Sequence, residues 1–123
     1  MQRKNAGDLA EAYYRLVGEK QIEAIESFLH PEVEFYGPLA NLRGREAVMQ
    51  ATSRFMEFFT SLRIRAKFAA EEQAMVVYDT DLPGISGSFP GASLLSFRKE
   101  LIFRIELFYD GSRFSEKKEE IFS

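Results

Sequence analysis

The sequence predicts an α+β domain in which amino-terminal helices pack on a curved antiparallel sheet and wall off an apolar pocket. Three observations carry this expectation. The apolar residues recur at three- and four-residue steps over the first half of the chain and at two-residue steps over the second. Helices first and antiparallel strands afterwards give segregated layers, not a doubly wound parallel sheet. Twelve Phe and five Tyr in 123 residues are a heavy aromatic load for this length, so either the core is bulky or a cavity is lined with rings.

The elements follow in order. Ala6, Leu9, Ala10, Tyr13, Leu16 and Val17 share one face of a helix over 6–17, and Gly18 suits the position just past its end. A second helix is expected over 21–29, with Ile22, Ile25, Phe28 and Leu29 inward and Pro31 ending it. Glu32 to Tyr36 alternates as a half-buried strand, and a loop with Gly37, Pro38, Asn41 and Gly44 follows. The third helix runs from Arg45 to Phe59 or Thr60, its inner face made of Val48, Ala51, Thr52, Phe55, Phe58 and Phe59. Leu62, Ile64, Ala66 and Phe68 then alternate with Arg63, Arg65 and Lys67, which gives a strand with one wet face. A turn at 71–73 leads into a strand over 74–81. Residues 82–92 read as a loop or a broken edge strand because of their glycines and prolines. Strands over 93–99 and 101–109 complete the sheet. Asp110-Gly111 ends the last one, and the charged tail reads as a solvated end.

Composition excludes several function classes. A net charge of −3 gives no electrostatic reason to expect nucleic acid or an anionic membrane as partner. With no cysteine and one histidine, thiolate chemistry, disulfides and an ordinary transition-metal site are not expected, and no cofactor is implied. The glycines at 84, 87 and 91 follow a strand but precede no helix, so they form no phosphate cradle. No apolar run approaches a membrane span and the first residues lack a signal-peptide core, so a soluble cytoplasmic protein is the default expectation.

The residues Ala12-Tyr13-Tyr14-Arg15-Leu16-Val17, Gln21-Ile22-Glu23-Ala24-Ile25, Phe28-Leu29-His30-Pro31-Glu32-Val33-Glu34-Phe35, Leu42-Arg43-Gly44-Arg45-Glu46-Ala47-Val48 and Ile105-Glu106-Leu107-Phe108-Tyr109-Asp110 together resemble the nuclear transport factor 2-like superfamily, in its SnoaL-like and ketosteroid-isomerase-like branches. The resemblance spans nearly the whole chain and implies one domain over 1–123, a cone-shaped, cystatin-like α+β roll with a cavity open at one end. It also implies a homodimer through the outer sheet face. Members of the family include isomerases, cyclases, dehydratases and hydrolases as well as non-catalytic binding modules, so fold alone does not set the activity. The isomerases of the family use a helix tyrosine and two acids. By this resemblance those positions fall on Tyr13, on Gly37 and near Ser93, so that mechanism lacks its base.

Two functional readings stay open. In one, the domain binds a small hydrophobic molecule without catalysis. In the other, it is a cofactor-free acid–base enzyme acting on a small hydrophobic oxygenated substrate, with Asp79 or Asp81 moving protons and Tyr13 or Tyr109 donating a hydrogen bond. The two aspartates lie on one face of a strand with side chains roughly 6–7 Å apart. Period alone does not choose between an inward face and a solvated strand end; comparison with the family pattern favours inward. Tyr13 and Tyr36 are each either core or ligand contacts, and Gly37 is a position where a ligand could find room. Ligand-lining candidates are Tyr14, Val17, Phe35, Tyr36, Phe55, Phe59, Phe68, Ser93, Phe97, Ile105, Leu107 and Tyr109. His30 is expected at a helix end, where its charge would complement the dipole.

Overall fold

The computed structural model describes residues 5–38, 40–84 and 87–109. Helix α1 (Ala6–Gly18) opens on Asn5, whose side chain accepts from the Asp8 amide at 2.8 Å and so satisfies one of the free amides of the first turn. Its buried face is Leu9, Ala10, Tyr13, Tyr14 and Val17. Each large residue there contributes on the order of 1.5–3 kcal/mol by leaving water. Helix α2 (Ile22–Ile25) is a single turn extended by a 3₁₀ turn over Glu26–Phe28, shorter than the periodicity suggested.

Strand β1 (Leu29–Tyr36) begins earlier than expected and runs through Pro31. The strand accommodates that proline because its pairing register shifts between Leu29 and Glu34, where the missing amide costs no ladder bond. His30 is therefore a strand residue, its Nδ1 accepting from the Glu32 amide at 3.0 Å, and not a helix-end cation. A short strand β2 (Asn41–Arg43) occupies what the sequence suggested was loop. Gly44, at φ +95°, then turns the chain into α3 (Arg45–Phe58).

Strands β3 (Ser61–Ala70), β4 (Gln73–Asp81), β5 (Phe89–Arg98) and β6 (Leu101–Phe108) form an antiparallel meander. The sheet order is β2-β1-β6-β5-β4-β3. The β1–β6 pair is parallel, so the sheet is mixed and not wholly antiparallel. Among the described residues, 89–91 pair with β4 alone, so Pro90 costs no ladder bond there. Of the segment 82–92, read as a loop or a broken edge strand, residues 89–92 form the first part of β5.

Two irregularities decide which side chains face the helices. Between Ile64 and Ala66 the β3–β4 register shifts by one residue. Before the shift Leu62 lies against α1 at Gly18; after it Lys67 and Ala69 do, Lys67 bonding Asp8 and Glu11 of that helix. Phe68 is consequently turned to the outer face and is 66% exposed. A second shift, between Ser96 and Phe97, lets both Ile102 and Ile105 be buried, although simple alternation would send Ile102 outward. The tail from Asp110 onward lies outside the described residues.

Candidate functional site

A cavity of about 80 Å³ lies between α1, α3 and the inner face of the sheet. Tyr13, Tyr14 and Val17 of α1 form one wall, and Ala51, Thr52 and Phe55 of α3 another. The sheet supplies Phe35 from β1, Tyr78 and Thr80 from β4, Phe89–Gly91 from β5 and Ile105, Leu107 and Tyr109 at β6. Pro90 is exposed while Ala51, Phe55, Leu107 and Tyr109 are half-buried, so the opening lies between α3 and the ends of β5 and β6.

Helix geometry explains why both Tyr13 and Tyr14 reach the cavity, their rings edge to face at 5.1 Å. Tyr14 also stacks on Tyr78, with ring centroids 5.0 Å apart. Behind these two rings sits Ser93, fully buried. The Tyr14 hydroxyl donates to Ser93 Oγ at 2.6 Å, and the Tyr78 hydroxyl lies 3.2 Å from the same oxygen. Gly91 makes this arrangement fit: a β-carbon there would stand 3.3 Å from Tyr78 Cε2. Thr80 donates to the Phe89 carbonyl at 3.3 Å and Thr52 to the Val48 carbonyl at 2.8 Å. The wall hydroxyls are thereby tied to the fold.

Every titratable group on the described wall is a phenol. Burial raises the Tyr13 hydroxyl pKa, with its hydrogen bond to Thr52 opposing the rise. Burial also raises Tyr14 and Tyr78, each reinforced by a neighbouring phenol, and lifts Tyr109 to about 12. The phenols are neutral donors at any physiological pH, because the charged form loses its hydration there.

The structure brings together Tyr13, Tyr14, Val17, Phe35, Phe55, Ile105, Leu107 and Tyr109 around this cavity, with Ser93 directly behind it. Phe59 is buried under Phe55 at a centroid distance of 4.9 Å, and Phe97 is buried in the core; neither lines the space. Tyr36, Phe68, Asp79 and Asp81 are elsewhere. Tyr36 follows Phe35 on the strand and so faces the opposite way, its hydroxyl on Glu34 at 3.0 Å.

The expectation that Asp79 and Asp81 turn inward is not met. On β4 the buried residues are Ala74, Val76, Tyr78 and Thr80. Asp81 accepts from Arg63 at 2.7 Å, Ser61 at 2.6 Å and Ser88 at 3.0 Å, and Asp79 pairs with Arg65 at 3.3 Å. Hydrogen bonds from Ser61, Arg63 and Ser88 hold Asp81 down to about 2, the reverse of what a general base at neutral pH needs. Gly37 does not open room either. A β-carbon there would meet Phe35 at 3.3 Å and Leu107 at 3.7 Å, and its amide closes a turn onto the Ala40 carbonyl.

The cavity residues absent from the sequence reading are Ala51, Thr52, Tyr78, Thr80, Phe89, Pro90 and Gly91 as wall groups. One signal points to Tyr78 and Thr80. Arg63 and Arg65 mark the wet face of β3, and carboxylates at 79 and 81 across a hairpin are their natural cross-strand partners. That pairing sends the aspartates outward and Tyr78 and Thr80 in.

Residues 10–105 match the family model for the SnoaL-like domain. The chain belongs to the SnoaL-like domain family. Solved structures similar to this SnoaL-like domain share its fold at low identity. A de novo designed protein with a curved β-sheet is 20% identical, has a TM-score of 0.84 and matches over 98% of this chain and 97% of its own. A protein with a cystatin-like fold from Silicibacter pomeroyi is 14% identical with a TM-score of 0.82, over 97% and 85%. A steroid delta-isomerase from Pseudomonas aeruginosa is 15% identical with a TM-score of 0.80, over 97% and 90%. No curated protein matches the sequence. A designed protein and an isomerase sharing one scaffold show how little the fold says of chemistry, which must be argued from the cavity wall.

Proposed function

We propose that this SnoaL-like domain binds a small, neutral, largely apolar molecule in the cavity and does not transform it. One observation carries the reading: the described wall is made of rings, aliphatic groups and neutral hydroxyls, with the two aspartates of the acid–base alternative on the other side of the sheet. Moving a proton at neutral pH needs a group poised near that pH, and buried phenols are not poised there. The volume favours a ligand of about one ring. At about 80 Å³ the space is smaller than the ~150 Å³ cavity that takes up benzene, so one ring fills it and extends into the opening. A four-ring steroid needs the walls to move apart.

Thermal-shift titration with ethylbenzene, acetophenone and a steroid enone tests this reading. Stabilisation by the one-ring compounds and none by the steroid is expected, with each ligand recovered unchanged after incubation. Conversion of a ligand above a protein-free control would overturn the non-catalytic part.

The outer sheet face supports a second proposal, a homodimer. Val77, Ala92 and Phe108 are neighbours in register, as are Phe68, Met75 and Leu94, and Phe68 and Phe108 are 66% and 50% exposed. Such an apolar band beside ion pairs suits burial against a second copy. Light scattering is expected to give twice the chain mass, falling to the monomer in Phe68→Glu/Phe108→Glu. A monomeric parent protein at 100 μM would refute it.

A further inference from the structure

The Tyr14, Ser93 and Tyr78 hydroxyls carry more information than their burial. Ser93 is fully buried, and its partners are Tyr14 and Tyr78. It accepts the Tyr14 hydrogen at 2.6 Å. If it accepted from Tyr78 as well, its own hydrogen would be left buried without an acceptor, the costly arrangement. The economical order is Tyr14 to Ser93 to Tyr78. It leaves the Tyr78 hydrogen as the one end of the chain not used on Ser93. The Tyr14 oxygen is the other acceptor within its reach, the contact through which Tyr78 lowers the Tyr14 pKa and Tyr14 raises that of Tyr78. Tyr78 lines the cavity, so a ligand oxygen would take the hydrogen instead.

Resting on the reading of this cavity as a ligand site, we propose that the ligand carries an uncharged hydrogen-bond acceptor, a carbonyl or ether oxygen, that receives the Tyr78 hydroxyl hydrogen. Tyr78 is then the specificity-determining residue, and Tyr14 and Ser93 are positioning residues that fix the direction of the chain. Successive hydroxyls polarise one another, so the terminal hydrogen is a better donor than an isolated phenol. The Tyr78 oxygen already accepts from Ser93, which makes the cluster a poor partner for a ligand that only donates. Carboxylates and ammonium groups are excluded more strongly. The described wall holds no opposite charge for either, and an unpaired charge is expensive to bury.

Isothermal titration of the full chain with ethylbenzene, acetophenone and benzoate, on the parent protein and on Tyr78→Phe and Tyr14→Phe, tests this. Phenylalanine keeps the ring that fills the wall and removes the hydroxyl. The expected result is that Tyr78→Phe weakens acetophenone about tenfold, the effect of losing one such hydrogen bond, while ethylbenzene stays within twofold. Tyr14→Phe should weaken acetophenone less than threefold, and benzoate should bind at least a hundredfold more weakly than acetophenone to every form. If acetophenone and ethylbenzene both bind but Tyr78→Phe affects them equally, the acceptor assignment is wrong and the binding reading stands. A larger loss in Tyr14→Phe than in Tyr78→Phe would overturn the chain direction, and tight benzoate binding would overturn the neutrality. If neither neutral compound binds at millimolar concentration, this inference and the binding reading fail together.

Discussion

Replacing Ser93 with alanine removes a single oxygen from the core, yet it unpairs two phenols at once. The Tyr14 and Tyr78 oxygens both pair with Ser93 Oγ, at 2.6 Å and 3.2 Å. The Oγ volume is small, so the cavity term is minor. The main cost is leaving buried polar groups without their partner, about 1–3 kcal/mol each. The two phenols recover part of this by turning toward each other, which sets the expected loss at about 2–3 kcal/mol. For 123 residues at about 2.1 cal/mol/K per residue, that lowers the melting temperature by about 8–12 °C. Tyr14→Phe alone leaves Ser93 paired with Tyr78 and should cost only about 1 kcal/mol. The double variant Tyr14→Phe/Ser93→Ala has one fewer orphaned hydroxyl than Ser93→Ala. It should therefore be less destabilised than the sum of the singles by at least 1 kcal/mol. Urea denaturation, with midpoint and slope fitted for all four proteins, measures this coupling. Additivity within 0.5 kcal/mol would refute the claim that the three hydroxyls act as one chain.

Other consequences are equally direct. Asp81 has its pKa depressed by its partners to about 2, so its ionised form contributes stability above about pH 4 that is lost as pH falls toward 2. Asp81→Asn should melt lower than the parent protein at pH 6 and converge with it near pH 2, with ligand affinity unchanged; a loss of binding would return this residue to the cavity argument. Gly91→Ala forces the Tyr78 ring to shift by a few tenths of an ångström. It should cost about 1 kcal/mol and reduce acetophenone affinity severalfold by titration, more than it reduces ethylbenzene affinity. The Lys20 amine donates to the Phe59 carbonyl at 2.7 Å and lies 4.9 Å from that ring's centroid, joining the end of α1 to the end of α3. Lys20→Met should cost about 1 kcal/mol in urea denaturation, and an unchanged midpoint would show that the tie contributes nothing.

Much of the architecture was legible in the sequence because it rests on period. The face of α1 that carries Leu9, Tyr13 and Val17 follows from spacing alone, and spacing puts Ala74, Val76, Tyr78 and Thr80 on one face of β4 without saying that it is the inner one. What misled was local. Pro31 reads as a helix stop but sits inside β1 where the register shifts, and one extra residue in β3 carries Phe68 from the expected inner face to the outer one. A bulge leaves no mark in a hydrophobic pattern, since the pattern on either side remains intact. The cavity was legible on the helices, where Tyr13, Tyr14, Val17 and Phe55 all reach it. It was less so on β4, whose two faces are apolar early and polar late. There the ion pairs with Arg63 and Arg65 decide, and they are a cross-strand property that reading β4 by itself does not reveal.

The central claim is that a small neutral molecule occupies the space between α1, α3 and the sheet. Methyl NMR of the full chain titrated with acetophenone tests it most directly, because both faces of the sheet carry methyl groups. The account predicts saturable shifts at Val17, Ile105 and Leu107, which line the cavity, with Val77 and Leu94 on the outer face unmoved. Shifts confined to the outer-face methyls, or none at millimolar ligand, would contradict it.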